Sequence, residues 1–199
     1  MSGYTTDSIN KIGNTVVFLA QKMQPLSKTK LLKLLYLLEE FSVKKYNIPF
    51  LDLRFEVWQA GPVAKDIFVD LSQDEPTMLN EFVKLDYSNF NGINATYIRA
   101  KKEFNDGEFS DNDIALLDLV VEKFKDTSAS DLVKLTHRTN SPWFQKAKEA
   151  GLLELFETGK LTSSNIEIDF SSLLEGNHLG KEIFEEQKVF NEFVKQFKN

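Results

Sequence analysis

The chain has 199 residues, 42% of them hydrophobic, which is enough for one domain that buries a core without disulfides or metal. The absence of cysteine excludes disulfides, thiolate metal sites and thiol catalysis, and is typical of proteins of the reducing cytoplasm. The net charge of −6 argues against non-specific nucleic-acid binding, whose affinity comes largely from cations that neutralise phosphates.

The N-terminal sequence has neither the basic start nor the apolar run of a signal peptide. The apolar stretches elsewhere are too short to cross a bilayer. We therefore expect a soluble, cytoplasmic protein with no membrane partner.

Apolar side chains recur at helical spacing in the first part of the chain. They predict one helix over residues 8–23, with Asp7 as its cap, and a second over residues 27–45. The second helix is apolar almost all round, which is typical of the buried centre of a domain. A narrow polar stripe remains on it, interrupted by Leu37 and formed by Lys30, Lys33, Glu40 and Lys44.

The segment after the second helix mixes extended and helical patterns. Residues 55–58 alternate and are expected to be extended. Gly61 and Pro62 are expected to turn the chain and open a helix to Leu71, because proline suits a first helical position. Three further elements are expected: a helix over 78–85, a loop over 89–94, and a strand over 96–104 that ends at a turn over 105–107.

Capping residues mark the helices of the later half of the chain. Ser110 with Asp113 predicts a capping box at the start of one helix. The two following helices are expected to begin at Ser128 or Ser130, and at Ser141 with Pro142 in the first helical position.

The last part of the chain carries a short alternating segment and an apolar stripe. Residues 166–170 predict a strand, and a C-terminal helix carries Ile183, Phe184, Phe190, Phe193, Val194 and Phe197 on one stripe. Three roles are open for this stripe: docking onto its own domain, binding in a partner's groove, or lying on a membrane surface. The membrane is least favoured, since glutamates and lysines are equally numerous on the polar face.

Together these elements predict a mostly α (α+β) fold. We expect a compact helical domain around a buried central helix, with a small β-sheet and a C-terminal amphipathic helix. We assign residues 1–176 to the domain and residues 177–199 to the C-terminal helix, which is packed on the domain or appended to it.

Residues that could carry chemistry are few. His137 has no nucleophile or carboxylate beside it in the sequence, so we expect it to cap a helix end. His178 is too distant to form a metal site with it. Gly61 and Pro62 lack the further glycines and lysine of a phosphate-binding loop. We predict no catalytic residue, no metal and no cofactor.

The helices within residues 110–151 allow an alternative function, a DNA-binding transcriptional regulator of helix-turn-helix type. Its recognition helix would hold Trp143, Phe144, Gln145, Lys146 and Lys148. The preceding helix is acidic and would repel phosphates, which disfavours nucleic acid as a partner. Residues 103–122 hold seven acidic side chains and no basic one, which indicates either a solvated face or a surface for a basic partner.

Two separated segments, residues 28–68 and residues 132–144, resemble the signature of the Panacea domain, an antitoxin family of bacterial and phage toxin–antitoxin systems. In that family a Lys-Leu-x-Lys-Leu-Leu-Tyr helix precedes a Trp-x-x-Gly-Pro-Val segment, and here residues 30–36 read KLLKLLY and residues 58–63 read WQAGPV. Further matches follow in order at Ser110, Leu132, Leu135, His137, Pro142 and Trp143. The resemblance covers about residues 8–170.

The resemblance implies a non-enzymatic, largely helical antitoxin that binds a cognate toxin protein. Six residues are assigned to the structural motif: Leu34, Leu35, Tyr36, His137, Pro142 and Trp143. We predict that the partner-binding residues are Lys33, Leu37, Lys44, Trp58, Gly61, Pro62, Phe190, Phe193 and Phe197. The toxin is either masked, which is slightly favoured, or delivered to a cellular protease; its identity and stoichiometry stay open.

Overall fold

The computed structural model describes residues 4–90 and 93–197. The helices are α1 (Thr6–Lys22), α2 (Lys28–Tyr46), α3 (Lys65–Asp70), α4 (Asp111–Phe124), α5 (Ala129–Thr136), α6 (Pro142–Glu149), α7 (Leu153–Glu157) and α8 (His178–Phe197). The strands are β1 (Leu26–Ser27), β2 (Phe55–Trp58), β3 (Gly61–Ala64), β4 (Val83–Phe90) and β5 (Ile93–Ala100), and a 3₁₀ helix spans Phe170–Leu174. The predicted mostly α (α+β) class is confirmed, with 54% of the structure helical.

Helix α2 is the buried centre of the fold, as its apolar sequence predicts. Every residue from Lys30 to Glu40 is buried. The helix contacts β3, α4, α5 and the 3₁₀ helix, so almost no direction around its axis is left for solvent.

The solvent-facing polar stripe predicted on α2 is wrong for three of its four charged residues. Lys30, Lys33 and Glu40 are 8%, 2% and 0% exposed, and Leu37 between them is also buried. Only Lys44, near the C-terminal end of the helix, is exposed. The buried charges are tolerated because other parts of the chain bring partners to them.

Two antiparallel sheets flank α2. The first has the strand order β1-β5-β4, with Leu26 opposite Ile98 and Val83 opposite Ala100. The second is the β2–β3 hairpin, in which Trp58 faces Gly61. On its other side, β2 exchanges backbone hydrogen bonds with residues 166–168.

Gly61 and Pro62 open a strand, and the prediction that they open a helix is wrong. β3 lies at the edge of its sheet, where the missing N–H of proline costs no ladder hydrogen bond. Helix α3 begins only at Lys65.

The predicted helix over residues 78–85 is also wrong. The buried carboxylate of Asp70 accepts the backbone N–H groups of Thr77, Met78 and Leu79 at 2.8, 2.8 and 3.0 Å. These bonds hold the segment in turns, and the chain then enters β4.

Other boundaries differ from the sequence expectations. Much of the expected loop over 89–94 belongs to the ends of β4 and β5, apart from residues 91–92, which lie outside the described part of the chain. β5 begins and ends earlier than the expected strand over 96–104. The expected strand over 166–170 is reduced to a single bridge between Glu56 and Glu167.

The predicted helix starts of the later half are confirmed. Ser110 and Asp113 form a capping box at α4, and the Ser128 hydroxyl accepts the Asp131 N–H at the start of α5. Ser141 caps α6, with Pro142 in its first turn. At α1 the cap is Thr5, and Asp7 lies within the first turn instead. Helix α7 was not predicted.

Helix α8 packs on the domain through a narrow face. Only Gly180 and Phe184 of its residues are buried, and it contacts the 3₁₀ helix. Lys195 near its end pairs with Asp52 at 2.8 Å. In the described part of the chain, neither α8 nor any other helix combines the length and apolar character that bilayer crossing demands.

Candidate functional site

The two signature segments of the sequence meet at the tip of the β2–β3 hairpin. Lys33 Nζ on α2 donates to the carbonyl oxygen of Pro62 at 2.8 Å. Gly61 beside it has φ +95°, and a Cβ there would lie 2.9 Å from Thr136 Oγ1 and 3.1 Å from Lys33 Cε. Both the positive φ and the lack of space for a Cβ atom require glycine at this position.

Two side chains of the second segment bind the backbone of the hairpin. Trp143 Nε1 donates to the carbonyl oxygen of Trp58 at 3.1 Å. The His137 ring lies between the carbonyl oxygens of Val133, 2.6 Å from Nδ1, and Gln59, 3.0 Å from Nε2. The ring thereby caps α5, as predicted, and ties it to the hairpin. A backbone oxygen therefore lies within hydrogen-bond distance of each ring nitrogen of His137.

We call this junction the signature joint: Lys33, Gly61, Pro62, Thr136, His137 and Trp143. Burial lowers the pKa of the Lys33 ammonium to about 7, because the charged form loses its hydration. The carbonyl oxygen of Pro62 is the hydrogen-bond acceptor that the structure gives this ammonium. The joint is therefore a packed contact between distant segments, with a lysine at its centre.

A second buried contact links α2 to the residue that follows His137. The fully buried Glu40 carboxylate pairs with Arg138 and, at 2.6 Å, with Lys44 one turn away. Its Oε2 atom and the Tyr36 hydroxyl are buried without a hydrogen-bond partner among the described residues. Burial, followed by the charge of Glu40, raises the pKa of Tyr36. Arg138 is the group that compensates Glu40 from a distant segment.

Glu39, the neighbour of Glu40, organises the loop after α2. Its carboxylate accepts the backbone N–H groups of Phe50, Leu51 and Leu53 at 2.7, 2.8 and 3.3 Å. Burial raises its pKa to about 7, and this effect outweighs the three donors, which favour the charged form. The sequence analysis did not single out Glu39; two adjacent glutamates within an apolar helix were the available signal.

The arrangement joins segments that are distant in the sequence. Both ring nitrogens of His137 face backbone oxygens, and no nucleophile in hydrogen-bond contact with a base occurs at the joint. Within residues 4–90 and 93–197, no cluster of three or more histidines and carboxylates is placed to hold a metal ion.

Several residues predicted to bind a partner are not on the surface. Lys33, Leu37, Gly61 and Pro62 are buried, so they are corrected to core positions. The reason is that the β2–β3 hairpin and α5 cover this side of α2. Trp58 is half-buried, its Nε1 donating to Glu56 and to the Ser164 carbonyl oxygen.

The alternative recognition helix, α6, is also partly committed to the core. Trp143 is 3% exposed and stacks with Phe156, with ring centroids 6.2 Å apart. Lys146 pairs with Glu149 at 3.0 Å within the helix. Fewer side chains than the sequence indicated remain to contact DNA.

The exposed members of the predicted set are Lys44 and the three phenylalanines of α8. Phe190, Phe193 and Phe197 are 59%, 56% and 73% exposed, and the last two rings lie 4.4 Å apart. Beside them, a groove of about 330 Å³ separates α8 from the domain. Its walls combine Phe190 and Val194 of α8 with acidic residues of the domain: Asp7, Asp52, Glu108 and Asp113.

The part of the chain that contains the joint matches a known protein family. The family described as "Antitoxin SocA-like, Panacea domain" matches residues 31–144, more than half of the chain. The matched region begins in α2 and ends in α6, so it contains both sides of the signature joint and excludes α8. No curated protein and no solved structure matches the chain. The chain belongs to the antitoxin SocA-like, Panacea domain family.

Proposed function

We propose that this protein is an antitoxin that neutralises a cognate toxin protein by binding it directly. The observation that carries the proposal is the family match across residues 31–144. Three signature residues, Lys33, His137 and Trp143, bond to backbone oxygens of the chain itself, so their contacts support a structural role within the domain.

The family region and the exposed phenylalanines of α8 are different parts of the chain. The signature joint lies inside the domain, whereas the exposed rings of Phe190, Phe193 and Phe197 lie on α8, outside the matched residues. We propose that the domain supplies a rigid scaffold and that α8 contributes to recognition of the particular toxin. Residues 1–176 and 177–199 then have separate roles.

Co-expression with the neighbouring gene tests the function. We expect the neighbouring product to stop growth alone and to be harmless beside this chain. A chain that ends at Gly176 should keep its fold by circular dichroism and lose protection. A neighbour that is harmless in every host tried would contradict the antitoxin role.

Masking and protease delivery give different toxin levels. Masking requires a stable complex that co-purifies at a fixed stoichiometry, with toxin abundance unchanged when cellular proteases are deleted one at a time. Delivery requires that toxin abundance rises in one such deletion. We favour masking slightly over delivery.

A further inference from the structure

Five of the six exposed large apolar residues of α8 follow a heptad pattern, and Val189 lies outside it. The positions of the pattern are Leu179, Ile183, Glu186, Phe190, Phe193 and Phe197, at alternating spacings of four and three. Every member except Glu186 is apolar, with exposure from 36% at Ile183 to 73% at Phe197. We call these six residues the α8 seam. A seam with this spacing matches a second α-helix lying alongside, because knobs at these positions fit between side chains of a facing helix.

The seam is separate from the side of α8 that holds the helix on the domain. Gly180 and Phe184 are the buried residues, and Lys195 makes the ion pair with Asp52. On a helical wheel these three residues lie together, turned away from Phe197 and Leu179. Docking of α8 on its own domain therefore leaves the seam uncovered.

Glu186 decides between a second copy of this chain and a different partner. It is exposed, and the described residues give it neither an ion pair nor a hydrogen bond. In an antiparallel pair of two α8 helices, Leu179 would face Phe197 and Glu186 would face Phe190 of the other copy. In a parallel pair, the two Glu186 carboxylates would meet. Both arrangements bury a carboxylate without a counter-charge, which is costly.

The flanks of the seam are acidic as well. Glu182 borders it on one side, and Glu108 of the adjoining groove lies on the other. The cations of this groove already have carboxylate partners: Lys11 pairs with Asp113, and Lys195 pairs with Asp52. A helix that enters beside α8 meets negative charge on both sides, so basic residues suit its flanks.

We infer that the α8 seam binds an amphipathic α-helix of the toxin that carries an apolar heptad stripe, a Lys or Arg opposite Glu186, and basic flanks. This inference rests on the proposed antitoxin function. The acidic seam and groove select such a helix over acidic or uncharged ones by charge complementarity.

Charge reversal at one seam position tests the inference. The probe is the purified product of the neighbouring gene, titrated calorimetrically against the full-length chain. Glu186→Lys should weaken binding about tenfold or more, because it places two cations together. The matched control is Glu185→Lys, the same change on an adjacent exposed residue off the seam, which should alter the Kd by less than about twofold.

A second pair of variants tests the apolar part of the seam. Phe190→Ala should weaken binding about tenfold or more, whereas Val189→Ala, an exposed apolar residue outside the seam, should leave the Kd within about twofold. Circular dichroism checks that each variant is folded. Sedimentation of the isolated wild-type chain should show a monomer, and Glu186→Leu should weaken toxin binding.

The outcomes separate this inference from the function on which it rests. If the wild-type chain binds the toxin while Glu186→Lys and Glu185→Lys bind equally well, the seam assignment is wrong and the antitoxin role survives. A wild-type dimer that Glu186→Leu tightens would assign the seam to a second copy and overturn the inference. If the wild-type chain neither binds nor neutralises the toxin, the proposed function falls, and the inference falls with it.

Discussion

Lys33 Nζ lies 2.8 Å from the carbonyl oxygen of Pro62, and this bond joins the centre of α2 to the tip of the β2–β3 hairpin. The lysine is 2% exposed and the carbonyl group is the acceptor that the structure gives it. A buried ammonium with a single neutral partner costs stability when it is charged. The same contact therefore connects the two motifs of the first signature segment and makes stability depend on pH.

Lys33→Met should remove part of the pH dependence of stability. Burial lowers the pKa of Lys33 from 10.5 in the unfolded chain to about 7 in the fold, so between these values the unfolded state binds more protons. Wild-type stability should then rise with pH from about 7 towards 10.5, by about 3–5 kcal/mol for this group. Urea denaturation at several pH values measures it. The increase of stability with pH should shrink in Lys33→Met. It should persist in Lys44→Met, which replaces an exposed lysine of the same helix. Identical pH profiles for the wild type and Lys33→Met would contradict the prediction.

The ionisation of Glu39 should make stability fall as pH rises, the opposite of the effect of Lys33, and it should do so at lower pH. Its pKa is raised to about 7 in the fold, so the folded state binds more protons than the unfolded state between pH 4.5 and 7. The stabilising contribution is complete below pH 4.5 and is lost as pH rises to about 7, with a change of about 3 kcal/mol. Glu39→Gln cannot ionise, so its difference from wild type should vary with pH in this window. A constant difference would show that the three N–H donors keep Glu39 charged.

Gly61→Ala should destabilise the protein by about 2–4 kcal/mol, through backbone strain at positive φ and a clash with Thr136 and Lys33. Gly159→Ala is a matched control, because Gly159 also has positive φ, +66°, but a Cβ there meets nothing within 4 Å. The control should cost about 1 kcal/mol from strain alone. Thermal unfolding of both variants measures the difference. Equal losses would mean that the joint has room for a methyl group.

Arg138→Ala should cost about 3–5 kcal/mol, because it leaves the fully buried Glu40 carboxylate without its partner from the distant segment. Lys44→Ala removes the other cation of the same carboxylate. Lys44 is exposed and one turn away, so its loss should cost less than about 1 kcal/mol. Glu40→Leu combined with Arg138→Met should recover most of the loss, since no buried charge then remains. Denaturant midpoints of the wild type, the two alanine variants and the double variant measure these differences in stability.

His137→Ala should lower stability by about 1–3 kcal/mol, because the Gln59 and Val133 carbonyl oxygens lose their common partner. The folded fraction should still bind the toxin, since the ring bonds to the protein's own backbone and packs against the Trp143 ring. Binding measured per folded molecule checks this. A folded variant with no antitoxin activity would favour a chemical role for His137.

Local features of the sequence predicted local features of the structure. Ser110, Ser128 and Ser141 each accept an N–H from three residues further on, a bond that only neighbouring residues decide. The central position of α2 was predictable because its sequence is apolar around most of the helix. Where a distant side chain competed, prediction failed, as when Asp70 held residues 77–79 in turns.

The candidate site was predictable in its parts and not in its arrangement. The motifs that carry Lys33, Gly61 and His137 were visible in the chain, but their burial was not, since the partner carbonyl of Lys33 is 29 residues away and Arg138 is 98 residues from Glu40. Composition and periodicity by themselves determined a mostly helical protein with a buried α2 and an amphipathic last helix. Which charges α2 hides and which face of α8 stays exposed was decided only by tertiary packing, because burial depends on what the rest of the chain places against each surface.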